Sequence, residues 1–195
     1  MNINIHTGLL EEARKIMSPN ADDRPPNAKP ELVVIHNISL PPNEFGTPWV
    51  NDFFLNKLDP KVHPYFEQIH QMRVSTHLYI RRTGEIIQYV PFTKRAWHAG
   101  KSCYGHRENC NDFSIGIELE GADHIPYEEA QYSALVDVIT TLCTHYPELD
   151  TTSVVGHSDI APGRKTDPGP AFDWIYFRKR LNRDRIGSSG TIDYV

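Results

Sequence analysis

The sequence has little that would suit a membrane or a nucleic-acid surface. Its longest purely aliphatic run is the four residues 32–35, whereas a membrane-spanning helix needs about 20 apolar residues. Basic residues are outnumbered, with 20 Lys and Arg against 25 Asp and Glu and a formal net charge of -5. A general electrostatic attraction to nucleic acid or to an anionic membrane is therefore not expected, although a local basic pocket is not excluded.

Cysteine is also scarce. Cys103, Cys110 and Cys143 are an odd number without a Cys-x-x-Cys pair, so we expect free thiols in a reducing compartment. The start of the chain, MNINIHTGLLEEARK, has no basic segment followed by an apolar one, and we expect no secretory signal. The composition, 39% hydrophobic and 23% charged, predicts one cytoplasmic globular domain over residues 1–186 and a loose tail at 187–195.

Hydrophobic periodicity predicts strands that alternate with helices. Strands are predicted at residues 32–38, 75–80, 85–90, 114–120 and 153–156. The second and third of these strands form a hairpin, because a turn containing Gly84 joins them. Strands separated by helices and one hairpin predict an α/β domain with a central mixed β-sheet flanked by helices.

Helices and one long connection complete this prediction. Helical spacing of apolar residues predicts helices at residues 8–17 and 47–58, after Pro126, and from Pro170 onward. Residues 91–112 lack such spacing and are predicted to be irregular. A connection of this length inside a compact domain is more often functional than idle.

The chain is rich in histidine, with ten residues. His36, Glu118 and His157 lie at or near the ends of predicted strands, where α/β domains place their ligands. Asp167 follows ten residues after His157, in the run HSDIAPGRKTD. Two imidazoles and a carboxylate can bind zinc and leave a fourth position for water, whose pKa the metal lowers to about 7.

The residues alone leave other interpretations open. A single histidine at a strand end is more often a hydrogen-bonded structural residue than a ligand. Asp159 is also close to His157 in sequence, so spacing does not choose between Asp159 and Asp167. Glu118 fits equally well as a solvated strand residue. On pattern alone, a metal site is one hypothesis among several.

Four sequence strings resemble the AmpD-type amidases: LVVIHNISLPP, VSTHLYIRRTGEIIQYVPFTKRAWHAG, CNDFSIGIELEG and GHSDIAPGRKTDPGPAFDW. These are zinc N-acetylmuramoyl-L-alanine amidases of bacterial cell-wall recycling, related to phage T7 lysozyme and to peptidoglycan recognition proteins. The resemblance extends over residues 9–174. It implies a zinc amidase domain with the peptidoglycan recognition protein-like fold, holding one Zn²⁺ through His36, His157 and Asp167.

The resemblance also implies catalytic roles. Phage and immune members of the family usually carry cysteine at the position of Asp167 and tyrosine at that of Glu118, so both residues favour the recycling branch. Amide hydrolysis needs a nucleophile, a stabilised oxyanion and a protonated leaving amine. Glu118 is predicted to transfer the proton, and Lys165 to stabilise the oxyanion.

The implied substrate is a small anhydro-muropeptide, and its carboxylates require local cations. Candidate contacts for the carboxylates, the sugar and the amide are Asn37, Tyr65, Arg73, Trp97, Lys101 and Arg107. No nucleic-acid, membrane or obligate protein partner is expected.

The predicted reaction is hydrolysis of the amide between the lactyl group of 1,6-anhydro-N-acetylmuramic acid and L-alanine, in peptidoglycan recycling. Two alternatives are an amidase acting on intact polymeric peptidoglycan and a peptidoglycan-binding module without catalysis. The absence of a recognisable secretory signal weighs against the first. The presence of all five residues implied for catalysis and metal binding weighs against the second.

Overall fold

The computed structural model describes residues 1–188, with side chains through residue 183. Its strands are β1 (Ile3–Asn4), β2 (Leu9–Leu10), β3 (Arg14–Lys15), β4 (Ala21–Asp23), β5 (Leu32–Ile38), β6 (Leu78–Ile80), β7 (Ile86–Gln88), β8 (Lys94–Ala96), β9 (Cys103–Tyr104), β10 (Arg107–Glu108), β11 (Ser114–Glu120) and β12 (Val154–Gly156). Its helices are α1 (Trp49–Phe54), α2 (Pro64–Ile69), α3 (Glu129–His145), α4 (His157–Ile160) and α5 (Trp174–Ser188), with one 3₁₀ turn at Cys110–Asp112.

Six strands form the central sheet in the order β12-β5-β11-β6-β7-β3. The first four are parallel to one another, and β6 turns back on β7 as an antiparallel hairpin. Gly84 in the hairpin turn has a φ of +86°, a value that glycine adopts without strain. The predicted α/β fold with a mixed sheet is therefore confirmed.

The two faces of the sheet are buried against different partners. On one face, apolar side chains of β5 and β11 pack in one cluster with the apolar faces of α3 and α5. These side chains are Val33, Ile35, Ile115, Ile117 and Leu119. The alternate residues of each strand point to the opposite face, because successive side chains alternate across a strand. That opposite face carries His36 and Glu118, so the helices α3 and α5 support the sheet from behind the candidate site.

The predicted helix at residues 8–17 is wrong. The segment instead forms β2 and β3, and β3 pairs with β7. The buried side chain of Gln88 accepts from the Leu10 N–H at 2.8 Å and donates to the Gly8 carbonyl at 3.0 Å. Backbone N–H and C=O groups that a helix would have paired internally are thus hydrogen-bonded to a distant side chain and strand. These long-range hydrogen bonds outweigh the helical spacing of the local apolar residues.

Two other helices are shorter than predicted. The hydroxyl of Thr47 donates to the Leu40 carbonyl instead of capping a helix, and α1 is confined to Trp49–Phe54. The last helix begins at Trp174 instead of Pro170, because the Asp173 carboxylate accepts from the Tyr176 N–H at 2.8 Å and so caps the helix there.

The connection over residues 91–112 contains more structure than predicted, namely β8, β9, β10 and the 3₁₀ turn. Cys103 and Cys110 carry free thiols, as predicted. Among the described residues, every helix is too short or too polar to cross a bilayer. The predicted domain boundary after residue 186 falls within α5, and residues 189–195 of the predicted tail lie outside the described residues.

Candidate metal centre and active site

Strand register places two of the predicted residues side by side. In the parallel ladder between β11 and β5, Glu118 is the direct partner of His36. Both side chains point to the face of the sheet away from α3. Two residues that are 82 positions apart in sequence are therefore neighbours, because the hydrophobic alternation of both strands sets which side chains face the site.

The loop and helix after β12 bring in the other two candidates. His157 is the first residue of α4 and is buried. The Asp159 carboxylate accepts from the Gly156 N–H at 2.7 Å and so closes the start of that helix. Asp167 instead turns toward the histidines. Of the two aspartates that spacing left open, the structure brings Asp167 to the site and commits Asp159 to a helix cap.

Three ligand atoms converge at one point. His36 Nδ1, His157 Nδ1 and Asp167 Oδ2 are each 3.0 Å from the other two. Bonds of about 2.0–2.1 Å at a tetrahedral zinc ion would place neighbouring ligand atoms about 3.3 Å apart. The donor set and its spacing therefore fit one zinc ion.

Electrostatics at His36 and Asp167 favour the protonation states that bind a metal ion. Burial lowers the pKa of His36 to about 4, against the opposing effect of the neighbouring Asp167 carboxylate. Burial alone would raise the pKa of Asp167, but its close contacts with the His157 and His36 rings outweigh burial and hold that pKa well below its ordinary value. A neutral imidazole and an ionised carboxylate are the forms that bind a metal ion.

Glu118 is half-buried, and one of its carboxyl oxygens lacks a hydrogen-bond partner among the described residues. This oxygen, Oε2, is itself buried. Burial, and then the charge of Asp167, raise the pKa of Glu118 well above its ordinary value, while Lys165 acts in the opposite direction. A carboxyl group with a raised pKa and a buried, unpartnered oxygen beside a candidate metal-binding cluster is a candidate for proton transfer.

A cleft of about 620 Å³ opens in front of these residues. Its lining includes His36, Glu118, His157, Lys165 and Asp167. This volume lies in the range of small-molecule sites, about 300–1,000 Å³. One wall is apolar and consists of Leu40, Phe53, Phe54, Tyr65, Ile69, Met72 and Val74.

Comparison with known proteins identifies the family. The family model for N-acetylmuramoyl-L-alanine amidases matches residues 26–170. The chain belongs to the N-acetylmuramoyl-L-alanine amidase family. The resemblance drawn from the sequence strings is thereby confirmed, and the site described above is that of an amidase-family domain.

Several family members are similar over nearly their whole length. The curated 1,6-anhydro-N-acetylmuramyl-L-alanine amidase AmpD of Citrobacter freundii is 58% identical over 171 residues, covering 88% of this chain and 91% of that protein. AmpD of Escherichia coli K12 is 54% identical over 180 residues, covering 92% and 98%. A crystal structure of a selenomethionine AmpD derivative superimposes with a TM-score of 0.88 at 56% identity, covering 92% of this chain and 98% of that one.

Three of the six residues predicted to contact substrate line the cleft of this amidase: Asn37, Tyr65 and Trp97. The Asn37 amide nitrogen donates to the Asp123 carboxylate at 2.8 Å and to the Pro168 carbonyl at 3.1 Å, which holds the side chain in place. The Trp97 indole N–H donates to the Asp22 carboxylate at 3.2 Å. The contacts of Asn37 and Trp97 therefore orient these side chains at the cleft.

The predicted cations lie farther out. In the part of the chain that the structure describes, Arg73 and Arg107 are not among the residues that line the cleft. Arg73 donates to the backbone carbonyls of His70 and Met72. Arg107 pairs with Glu31 and lies over the Phe113 ring. Lys101 lines an adjacent depression of about 370 Å³. Contacts of these cations with a substrate stay predictions.

Sequence reasoning missed the residues behind the histidines. The outer nitrogen of His36, Nε2, is 2.9 Å from His98 Nδ1, and that of His157 is 3.1 Å from the Ala99 carbonyl oxygen. His98 and Ala99 belong to the predicted irregular connection and lie 62 and 58 positions from the histidines they contact. The sequence signal for these contacts is the WHAG string at residues 97–100. That string does not itself indicate that His98 and Ala99 contact His36 and His157.

Gly116 leaves the space that His98 occupies. A Cβ atom at position 116 would lie 2.4 Å from His98 Cγ, and that ring atom cannot move without displacing the whole side chain. We therefore expect Gly116→Ala to lower the free energy of unfolding in urea by about 1–3 kcal/mol through overpacking. As a control, the double variant Gly116→Ala/His98→Ala lacks the colliding ring. If the free-energy costs of Gly116→Ala and His98→Ala simply add in this double-mutant cycle, the predicted clash between the two side chains is contradicted.

Proposed function

We propose that this protein is a zinc-dependent amidase that hydrolyses the bond between the lactyl group of 1,6-anhydro-N-acetylmuramic acid and L-alanine. The observation that carries the proposal is the convergence of His36, His157 and Asp167 on one point, with the Glu118 carboxyl and its unpartnered Oε2 on the neighbouring strand. The names of the similar AmpD proteins support the anhydro-muropeptide as substrate. Among small metal-binding clefts, this arrangement is the one expected for metal-assisted hydrolysis.

The three ligands divide the work of holding the metal. His36 and His157 would each provide Nδ1, and Asp167 would provide Oδ2. Zinc held there would polarise the scissile carbonyl and activate a water molecule for attack. The single negative charge of the ligand set leaves the site with net positive charge when the metal is bound, which favours an oxyanion.

Glu118 moves the proton. The attacking water forms a C–O bond to the lactyl carbonyl carbon and passes a proton to the Glu118 carboxylate. When the C–N bond breaks, Glu118 delivers this proton to the departing amine nitrogen of L-alanine. The raised pKa of Glu118 makes it a stronger proton acceptor than an ordinary carboxylate.

Lys165 supplies a positive charge at the mouth of the site. It lines the cleft, and its charge lowers the pKa of both Glu118 and His36. A cation at this position would stabilise the oxygen of the tetrahedral intermediate as negative charge develops.

The apolar wall of the cleft suits the sugar of the substrate. The 1,6-anhydro bridge removes two hydroxyl groups from the muramic acid ring and leaves a compact, less polar face. Tyr65 and Trp97 offer aromatic surfaces for such a face. We also propose a cytoplasmic location, which the exposed free thiol of Cys103 supports because such thiols persist in reducing compartments.

The proposal is tested by mass spectrometry of anhydro-N-acetylmuramyl-tripeptide after incubation with the zinc-loaded protein. We expect anhydro-N-acetylmuramic acid and a free tripeptide that begins with L-alanine. Both products should disappear after chelation and return when zinc is added back. Polymeric peptidoglycan is incubated in parallel. Cleavage of the polymer alone would contradict the recycling proposal and favour an amidase of intact peptidoglycan. If the zinc-loaded protein cleaves neither substrate, a peptidoglycan-binding role without catalysis is favoured instead.

The charge of Lys165 gives a second test. We expect Lys165→Met to lower kcat by about 100-fold, the effect of removing one group that stabilises an oxyanion. The zinc content should not change, because Lys165 is not a ligand. Lys165→Arg keeps the charge and serves as the matched control, with a smaller loss. Equal losses in both variants would contradict a role for the charge and would indicate a steric one.

A further inference from the structure

The outer nitrogens of both histidines end on consecutive residues of one loop. We call residues 97–100 the supporting loop. His157 Nε2 is 3.1 Å from the Ala99 carbonyl oxygen, and His36 Nε2 is 2.9 Å from His98 Nδ1. A carbonyl oxygen only accepts hydrogen bonds, so His157 must carry its proton on Nε2. Its Nδ1 is then free of hydrogen and points to Asp167 as a lone pair.

The same reasoning extends to His36 through a longer chain of hydrogen bonds. The Ser114 hydroxyl lies 2.5 Å from the Cys110 carbonyl oxygen and 3.1 Å from His98 Nε2. Because the carbonyl cannot donate, the hydroxyl hydrogen points to it, and Ser114 Oγ must accept from the Nε2–H of His98. In the neutral ring, His98 Nδ1 is then bare and accepts from the Nε2–H of His36.

The chain therefore has one direction, from His36 through His98 and Ser114 to a backbone carbonyl. It leaves Nδ1 of His36 without hydrogen, and this is the atom that faces His157 and Asp167. We propose that His98 is a positioning residue, which sets the tautomer and ring orientation of His36 and thereby the metal affinity of the site. This inference deepens the proposed function and rests on its metal site.

The supporting loop is itself held from three sides. The Asn111 side-chain oxygen accepts from the N–H groups of both His98 and Ala99, at 3.1 and 2.8 Å. The Ser75 hydroxyl oxygen accepts from the Trp97 N–H at 3.0 Å. The bare Cα of Gly116 leaves the space that the His98 ring fills. A loop fixed in this way holds its two acceptors, His98 Nδ1 and the Ala99 carbonyl oxygen, at constant positions. Hydrogen-bond partners behind metal-binding histidines must be held in this way if they are to orient those histidines.

The test compares zinc affinity in two variants at position 98. His98→Leu removes the acceptor, whereas His98→Asn keeps an oxygen on Cγ in place of Nδ1. The zinc dissociation constant is measured by competition with a chelating dye. We expect His98→Leu to bind zinc about 10- to 100-fold more weakly, the range for loss of an outer-shell partner, and His98→Asn to recover most of that loss.

His77 provides a matched control. It is fully buried and its ring centroid lies 5.9 Å from that of His98. Its nitrogens contact Gly116 N–H, the Arg24 guanidinium and the Lys94 carbonyl, none of which is a proposed ligand. We expect His77→Leu to lower the unfolding temperature without weakening zinc binding. If His98 had a merely structural role, His98→Leu would likewise lower the unfolding temperature without weakening zinc binding. That result would overturn the inference.

A measurement on the unsubstituted chain covers the case in which a variant does not fold. The protonated nitrogen of each ring is identified by NMR of ¹⁵N-histidine-labelled protein, with and without zinc. We expect the proton of His98 on Nε2 in both states, and those of His36 and His157 on Nε2 with zinc bound. A proton on His98 Nδ1 would overturn the inference. Failure of the unsubstituted chain to bind zinc would instead overturn the proposed function, and the His98 tautomer would still be decided.

Discussion

Asp167→Ala is expected to abolish zinc binding and amidase activity together. Asp167 Oδ2 is the only carboxylate oxygen in the described cluster and lies 3.0 Å from both histidine nitrogens. Its loss removes the negative charge and leaves two imidazoles, a set too small for a stable zinc site. We expect activity to fall by about 10³-fold or more, as it would on removal of the metal. Activity is assayed on the substrate, and the zinc content of the same preparation is determined by elemental mass spectrometry.

Asp159→Ala is the matched control for this prediction. Asp159 is the aspartate that sequence spacing left as an alternative, and its carboxylate caps α4 at Gly156. Its replacement should cost about 1 kcal/mol of stability through the lost cap while zinc and activity are retained. If Asp159→Ala lost the metal and Asp167→Ala kept it, the assignment of ligands would be reversed.

Glu118→Gln is expected to keep zinc and lose catalysis. The amide fills nearly the same volume as the carboxyl group but cannot take a proton from water, so kcat should fall by about 10²- to 10⁴-fold. The metal-free protein should be no less stable than the unsubstituted chain, because a neutral amide replaces a carboxyl group whose buried Oε2 has no hydrogen-bond partner among the described residues. Activity, zinc content and unfolding temperature are measured on the same preparation.

Glu120→Gln provides the comparison on the same strand and the same face. The Glu120 carboxylate is buried and accepts from the N–H groups of Gly46 and Arg82. Its replacement should lower stability and leave kcat nearly unchanged. A larger loss of kcat in Glu120→Gln than in Glu118→Gln would show that the proton is not transferred by Glu118.

The sequence strings pointed to most of the residues that the fold brings together at the candidate site, whereas physical reasoning on the residues alone left alternatives open. Spacing left Asp159 and Asp167 equivalent, and the resemblance selected Asp167. The structure explains the difference, because Asp159 bonds to the Gly156 N–H while Asp167 reaches the histidines. A helix cap and a metal ligand use the same residue type, and only the folded chain shows which carboxylate is committed to the backbone.

The failed helix at residues 8–17 has a related cause. Local apolar spacing there fits a helix, but Gln88, about 80 positions away, satisfies the backbone of Gly8 and Leu10. Such a partner leaves no trace in the local pattern. His98 was missed for the same reason, because its contact with His36 spans 62 positions.

By itself, the sequence determined the α/β class, the central strands Leu32–Ile38 and Ser114–Glu120, the hairpin and the long helix. These elements follow from periods of two and 3.6 residues, which are local properties of the chain. The tertiary structure decided the rest: the register that sets Glu118 beside His36, the helix cap that engages Asp159, and the supporting loop behind both histidines. Those features join residues that are distant in sequence, and their partners are chosen only when the sheet and loops pack together.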